Sequence, residues 1–170
     1  MRQFFYSTFC KGLYTQLLQS NDVQLAAIAE KSLKEMMGME GYRVRSLYLA
    51  KAEEYQVGWK GRQFIPGKFE ISDITNQILT ATNAALYGIL CSAVHSLGYS
   101  PHIGFIHSGS PLPFVYDLAD LYKEYLCIDL SFALTKDLAG QYNKAKVAQS
   151  FRSRVIEMDL LSRIASDIAE

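Results

Sequence analysis

The chain has 170 residues, 49% of them hydrophobic, 20% charged and 12% aromatic, the balance of one globular domain long enough to bury a core. Seventeen basic residues meet seventeen acidic ones, which argues against a globally basic nucleic-acid binder and against an acidic disordered tail. Four prolines and eleven glycines exclude collagen-like and low-complexity chains.

In chain order the pattern is helical. Phe4 to Leu18 carries apolar residues at helical spacing. Asn21 and Asp22 read as a cap for a helix from Val23 to about Met37, with Gly38 as an interruption and a further helix from Met39 to Tyr55. Residues 56–70 hold three glycines, a proline and the only Trp, which predicts a loop with a short hairpin around Lys60 and Gly61. Ser72 and Asp73 open the longest helix, running to about Leu97 with Gly98 as its C-cap. Residues 99–113 form an ordered loop, Phe114 to Tyr125 an amphipathic helix, Leu126 to Ala139 one or two more, and Tyr142 to Ala169 a last helix. The fold class expected is all-α, built of several helices. The most apolar stretch, Ile78 to Leu97, is interrupted by polar residues and does not read as a membrane span, and the N-terminus lacks a signal-peptide pattern. Cys10, Cys91 and Cys127 are odd in number and far apart, which points to structural thiols in a reducing, cytoplasmic compartment.

Charge is unevenly spread. Residues 31–68 hold eight basic and four acidic groups (net +4), 69–135 one and six (net −5), and 136–154 five and one (net +4). Two basic stretches therefore flank an acidic one, and basic residues that converge on one face can bind DNA even in a neutral chain.

The acidic stretch carries the most suggestive chemistry. His107 sits in a loop bounded by Gly, Ser and Pro, and Asp117 and Asp120 follow at i and i+3 on the amphipathic helix. One imidazole with carboxylates is a hard, mixed N/O donor set that suits Mg²⁺ or Mn²⁺. The plainer alternative is a loop-capping His107 and an Asp117 favoured by the helix dipole. Glu40, in the segment MEGYRVR, is either a further donor or a surface partner of Arg43 at i+3. Cys91 and His95, at i and i+4, read as a buried structural pair.

Three segments then carry a resemblance. EGYRVRSLYLAKAEEYQVGWKGRQF, DITNQILTATNAALYGIL and GYSPHIGFIHSGSPLPFVYDLADLYK, with FRSR near Phe151, resemble the CRISPR-associated Cas1 family of integrase-endonucleases, its type I-E branch in particular. The likeness covers about residues 22–168. It implies an α-helical catalytic domain with a metal site of Glu40, His107 and Asp120, supported by Asp117, that binds Mg²⁺ or Mn²⁺. Tyr87 matches a tyrosine beside that site. Phe64 stands where relatives carry another tyrosine, so a hydroxyl is absent there.

The implied reaction is strand transfer, in which a 3′-hydroxyl of a prespacer duplex attacks a phosphodiester at the edge of a CRISPR repeat. Arg43, Arg45, Arg62, Lys144, Lys146, Arg152 and Arg154 are the expected contacts to double-stranded DNA. Family members carry an N-terminal β-rich domain that helps build a homodimer and dock the ferredoxin-like companion Cas2. This sequence reaches the helical region almost at Met1. The expectation is therefore a single helical catalytic domain over 1–170 without that β-domain, a helix over 1–20 whose Phe4, Phe5, Tyr6 and Phe9 offer a homo-oligomer contact, and no membrane. A non-catalytic DNA-binding or assembly subunit, or a helical interaction module, is the competing reading.

Overall fold

The computed structural model describes residues 33–104, 107 and 109–169, with side chains over 41–104, 107 and 109–168. The described residues are helical, with no strand among them. In order they form α1 (Leu33–Tyr55), a 3₁₀ turn (Phe69–Ile71), α2 (Ile74–Ser96), α3 (Pro113–Lys123), a π-helical segment (Glu124–Asp129), α4 (Leu130–Asp137), α5 (Lys144–Glu157) and α6 (Leu160–Ala169). The expected helix over Phe4 to Leu18 and the proposed contact of Phe4, Phe5, Tyr6 and Phe9 lie outside the described residues.

Helix α2 is the central element. Asp73 caps it by accepting the Asn76 N–H at 2.9 Å, and Gly98, at φ +80°, lets the chain turn out of its last turn. By length and composition alone α2 is apolar enough to cross a membrane. Here it is the core helix. Ile78, Leu86, Leu90 and Val94 are fully buried against Val115 and Leu118 of α3, Leu126 of the π segment, Leu134 of α4, Phe151 of α5 and Ile164 of α6. At about 25 cal/mol per Å² of apolar surface, this burial is the main stabilising term.

A second, smaller core docks α1. Ala52, Leu79, Ile128 and Phe132 are buried together, and the Trp59 ring stacks on Tyr48 at 4.9 Å and meets Phe132 edge-on at 5.2 Å.

Three expectations change. Gly38 does not interrupt a helix, since α1 runs unbroken from Leu33 to Tyr55; a helical glycine costs only about 1 kcal/mol and neighbouring residues outweigh it. No hairpin forms around Lys60 and Gly61. The buried Asn76 side chain instead accepts the Gln63 N–H at 2.8 Å and donates to the Gly61 carbonyl at 3.1 Å, satisfying the backbone groups that a ladder would pair. The last helix is two. The chain breaks at Asp159, whose φ is +49°, and this turn brings Leu160 and Ile164 of α6 into the core.

The loop between α2 and α3 is pinned from several sides. The Phe114 N–H donates to the Pro101 carbonyl at 3.2 Å, and the His102 ring bonds the Pro111 carbonyl at 2.9 Å. Gly104 lies so close to Pro113 that a Cβ there would come within 2.7 Å of its carbonyl carbon. Gly88, on α2, has open space around it. Gly104→Ala is expected to destabilise by about 1–3 kcal/mol through overpacking. Gly88→Ala is expected to stabilise by about 0.5–1 kcal/mol. Urea unfolding of the two variants side by side checks both signs.

Candidate metal centre

Pro113 opens α3 in its first turn, where its missing N–H is no loss, so the helix starts directly after the pinned loop. Asp117 then falls on its buried face, fully shielded from solvent among Val115, Leu118 and Ala119. A bare carboxylate in such a place is costly unless charge-assisted hydrogen bonds hold it. His107 provides two. Its backbone N–H donates to Asp117 Oδ1 at 3.0 Å, and its ring Nδ1 lies 2.7 Å from the same oxygen. An ionised carboxylate only accepts, so Nδ1 carries the proton and Nε2 of the neutral ring is left with its lone pair outward. The Ser110 hydroxyl steadies the loop by donating to the His107 carbonyl at 2.8 Å.

Asp120, one turn along α3, is nearly buried, and its Oδ2 stands 3.7 Å from His107 Nε2. That is too long for a hydrogen bond and matches two donors that share one cation, which lie about 3–4 Å apart when each is about 2.0–2.2 Å from the ion. A carboxylate behind Nδ1 with the lone pair of Nε2 presented forward is how metal-ligating histidines are generally oriented. The residues present therefore fit a hard divalent ion. The Glu40 backbone lies in α1, and its side chain is outside the described residues. Among the described residues no three His, Cys, Asp or Glu side chains converge into a metal-binding group.

The other oxygen of Asp120, Oδ1, accepts from Lys123 Nζ at 2.7 Å. Lys123 was not among the residues expected from sequence, although its i+3 spacing from Asp120 is the signal that could have found it. Burial works against its ammonium, but the Asp120 charge and Tyr87 outweigh this and hold its pKa above the ordinary lysine value. The Lys123 ammonium also sits 5.2 Å from the centre of the Tyr87 ring, which packs edge-on against Tyr116 at 4.9 Å.

These groups open onto a cavity of about 530 Å³. Arg43, Arg62, Phe64, Asn83, Tyr87 and Asp120 are among its walls. The Arg62 guanidinium is held by neutral partners, Asn76 Oδ1 at 2.9 Å and Thr80 Oγ1 at 3.0 Å, and burial lowers its pKa. Its charge therefore remains available to an anion. Phe64 is 62% exposed at the rim, 5.8 Å from Arg62. The Asn83 amide oxygen is buried without a hydrogen-bond partner. Cations, aromatic faces and the Asp120 carboxylate in one cleft, with His107 next to Asp120, suit a ligand with phosphates and rings.

The structure thus brings His107, Asp117 and Asp120 together, and Asp120 shares the walls of the cavity with Tyr87, Arg43 and Arg62. Arg45, Lys144, Lys146 and Arg152 are exposed and do not line the cavity. Arg154 is engaged elsewhere. Its guanidinium pairs with Asp129 at 2.7 Å, bonds the Tyr125 carbonyl and stacks over the Tyr125 ring. The Cys91 and His95 pair is not buried: it lies on the surface of α2, with the sulfur 3.6 Å from Nδ1. Cys127 is buried against Thr82, and burial pushes its thiol up to about 12, so it is inert.

Comparison with known proteins bears on this cleft. The family model "CRISPR associated protein Cas1" matches residues 11–154. The CRISPR-associated endonuclease Cas1 2 of Chlorobaculum tepidum is 67% identical over 143 residues, covering 84% of this chain and 48% of that protein. The CRISPR-associated endonuclease Cas1 of Escherichia coli is 39% identical over 115 residues, covering 68% of this chain and 38% of that protein. A crystal structure of a TtCas1–DNA complex superposes with a TM-score of 0.80 at 31% identity, over 99% of this chain and 63% of that one. The chain spans about half, or less, of the length of these two relatives.

The Asp117 hydrogen bond raises the His107 pKa above its ordinary value of 6.5, against an opposing effect of burial, with the Asp120 charge adding to the rise. The sign follows: the pair stabilises the fold fully below the unfolded-state value and loses that contribution as pH rises through the raised folded-state value. An NMR titration of the metal-free protein should place the His107 midpoint above 6.5. Asp117→Asn should bring it down. Equal midpoints in the two proteins would contradict the pairing.

Proposed function

The chain belongs to the CRISPR-associated Cas1 family, and on that premise we propose that it is a metal-dependent DNA endonuclease and integrase of CRISPR adaptation, of the type I-E kind, working in the prokaryotic cytoplasm. The observation that carries this reading is His107, locked by Asp117 so that Nε2 faces the Asp120 carboxylate at 3.7 Å beside a cleft walled by arginines. Glu40, His107 and Asp120 are the ligands in this reading, and Asp117 is the residue that orients His107.

Mg²⁺ or Mn²⁺ bound there would polarise a phosphodiester and stabilise the charge that develops on it. The side chains do the rest. Arg62, tied to Asn76 and Thr80, offers a fixed guanidinium to a phosphate oxygen, and planar donors of this kind orient as well as attract. Lys123 steadies Asp120 and keeps positive charge beside it. Tyr87 and Tyr116 wall the cleft and limit water at the reacting phosphate. In strand transfer a prespacer 3′-oxygen bonds to phosphorus as the bond from phosphorus to the 3′-oxygen of the nucleotide flanking the repeat breaks, and the proton of the attacking hydroxyl ends on the leaving one. Outside the cleft, Arg45, Lys144, Lys146 and Arg152 are the proposed backbone contacts to double-stranded DNA, and their share of binding weakens with salt. Homo-oligomer formation and docking of Cas2 belong to the same proposal, as does the division of the chain into one helical catalytic domain with a contact helix over 1–20.

Nicking and strand transfer on branched DNA, with Mn²⁺ or Mg²⁺ supplied, test the reading. His107→Ala and Asp120→Asn should each lower the rate by about 100-fold or more, and Asp117→Asn by about 10-fold, the usual cost of losing a ligand's supporting carboxylate. A proton and a metal compete for Nε2, so the wild-type rate should fall as pH drops through the raised His107 pKa. DNA binding with no metal-dependent product would instead favour a non-catalytic assembly subunit. Activity indifferent to His107→Ala would overturn the site.

A further inference from the structure

Leu47, Tyr48, Ala52 and Tyr55, in the C-terminal half of α1, pack onto the smaller core. Glu40 lies in the other half. Two ion pairs tie α1 to the π segment that continues the site helix. Lys51 Nζ meets Asp129 Oδ1 at 2.8 Å, with the Tyr55 hydroxyl donating to the same oxygen at 3.0 Å. Eight residues earlier on α1, about 12 Å of helix rise away, Arg43 Nη1 meets Glu124 Oε2 at 3.1 Å. Among the described residues these are the ion pairs that join α1 to the rest of the fold.

The register of the Arg43–Glu124 pair is informative. Glu124 follows Asp120 by four residues, so the two fall on one side of the helix that runs from α3 into the π segment. Arg43 follows Glu40 by three, so those two fall on one side of α1. The pair therefore joins the row that contains Asp120 to the row that contains Glu40, one turn from each, and both partners line the cavity. A π turn at this point resets the helix so that one short segment offers Glu124 to Arg43 and Asp129 to Lys51.

We propose that Glu124 is a positioning residue of the metal centre: through Arg43 it holds the half of α1 that carries Glu40 against the site helix, and so brings Glu40 opposite His107 and Asp120. This rests on the metal reading of the site. Glu124 is 39% exposed, so the pair adds little to global stability. Its effect is on geometry.

The test is Mn²⁺ binding in the absence of DNA, read from the electron paramagnetic resonance signal of the free aqueous ion, together with thermal unfolding. Glu124→Gln should weaken Mn²⁺ binding about tenfold, the scale for groups that support a ligand from behind, while the melting temperature stays unchanged. The swapped pair, Arg43→Glu with Glu124→Arg, should restore most of the affinity. Wild-type affinity in Glu124→Gln, or a swapped pair as weak as the single variant, would overturn the inference while leaving a His107-dependent site in place. Mn²⁺ binding that His107→Ala does not reduce would overturn the metal reading, and the positioning role with it.

Discussion

The Asp117 carboxylate is the constraint on which the rest of the site depends. It is sealed among apolar neighbours on α3, yet it takes both the backbone N–H and the ring N–H of His107. One buried charge therefore holds a loop, sets a tautomer and aims a lone pair. His107 supplies two of the hydrogen bonds that offset its desolvation, so a drift of the loop would cost the buried carboxylate both of them. The packing of Gly104 on Pro113 and the bonds from His102 and Phe114 hold the same loop from its other side. A histidine on a long loop is thereby tied at both its backbone and its ring.

The second theme is charge balance within a neutral chain. Asp120 is shared between Lys123 and the face of His107, so the site has a resident cation ready to compensate its carboxylate. Asp129 gathers Lys51, Arg154 and the Tyr55 hydroxyl, and these outweigh burial to hold its pKa below the ordinary carboxylate value. That cluster uses two of the basic residues that the charge map offers to DNA. Arg62, by contrast, is anchored only by neutral groups and keeps its charge for a ligand. Basic residues in this fold thus divide between struts and contacts, and only their partners reveal which is which.

What was legible in the sequence was local. The Asp73 cap, the Gly98 exit and the apolar period of α2 each follow from residues a few positions apart, and the structure has them where the pattern puts them. The i, i+3 spacing of Asp117 and Asp120 likewise put both carboxylates on one helix face, and both stand next to the His107 ring. What was not legible was non-local or against propensity. Asp159 takes a left-handed conformation without being glycine, for a gain realised only when Leu160 and Ile164 reach the core. Asn76 satisfies a loop that begins fifteen residues upstream, and Arg43 meets Glu124 across 81 residues. Arg154 looked like a DNA contact because nothing near it in sequence announces Asp129. The Cys91 and His95 pair looked internal because α2 is so apolar, whereas Cys91 is only partly buried at the edge of the core and His95 is exposed.

The central claim is that His107 and Asp120 hold one divalent ion between them. The most direct measurement is anomalous X-ray scattering from crystals of this chain soaked in Mn²⁺. A single strong peak is expected between His107 Nε2 and Asp120 Oδ2, with the Glu40 carboxylate beside it. A peak elsewhere, or an ordered cleft with Lys123 still on Asp120 and no peak at saturating Mn²⁺, would contradict it.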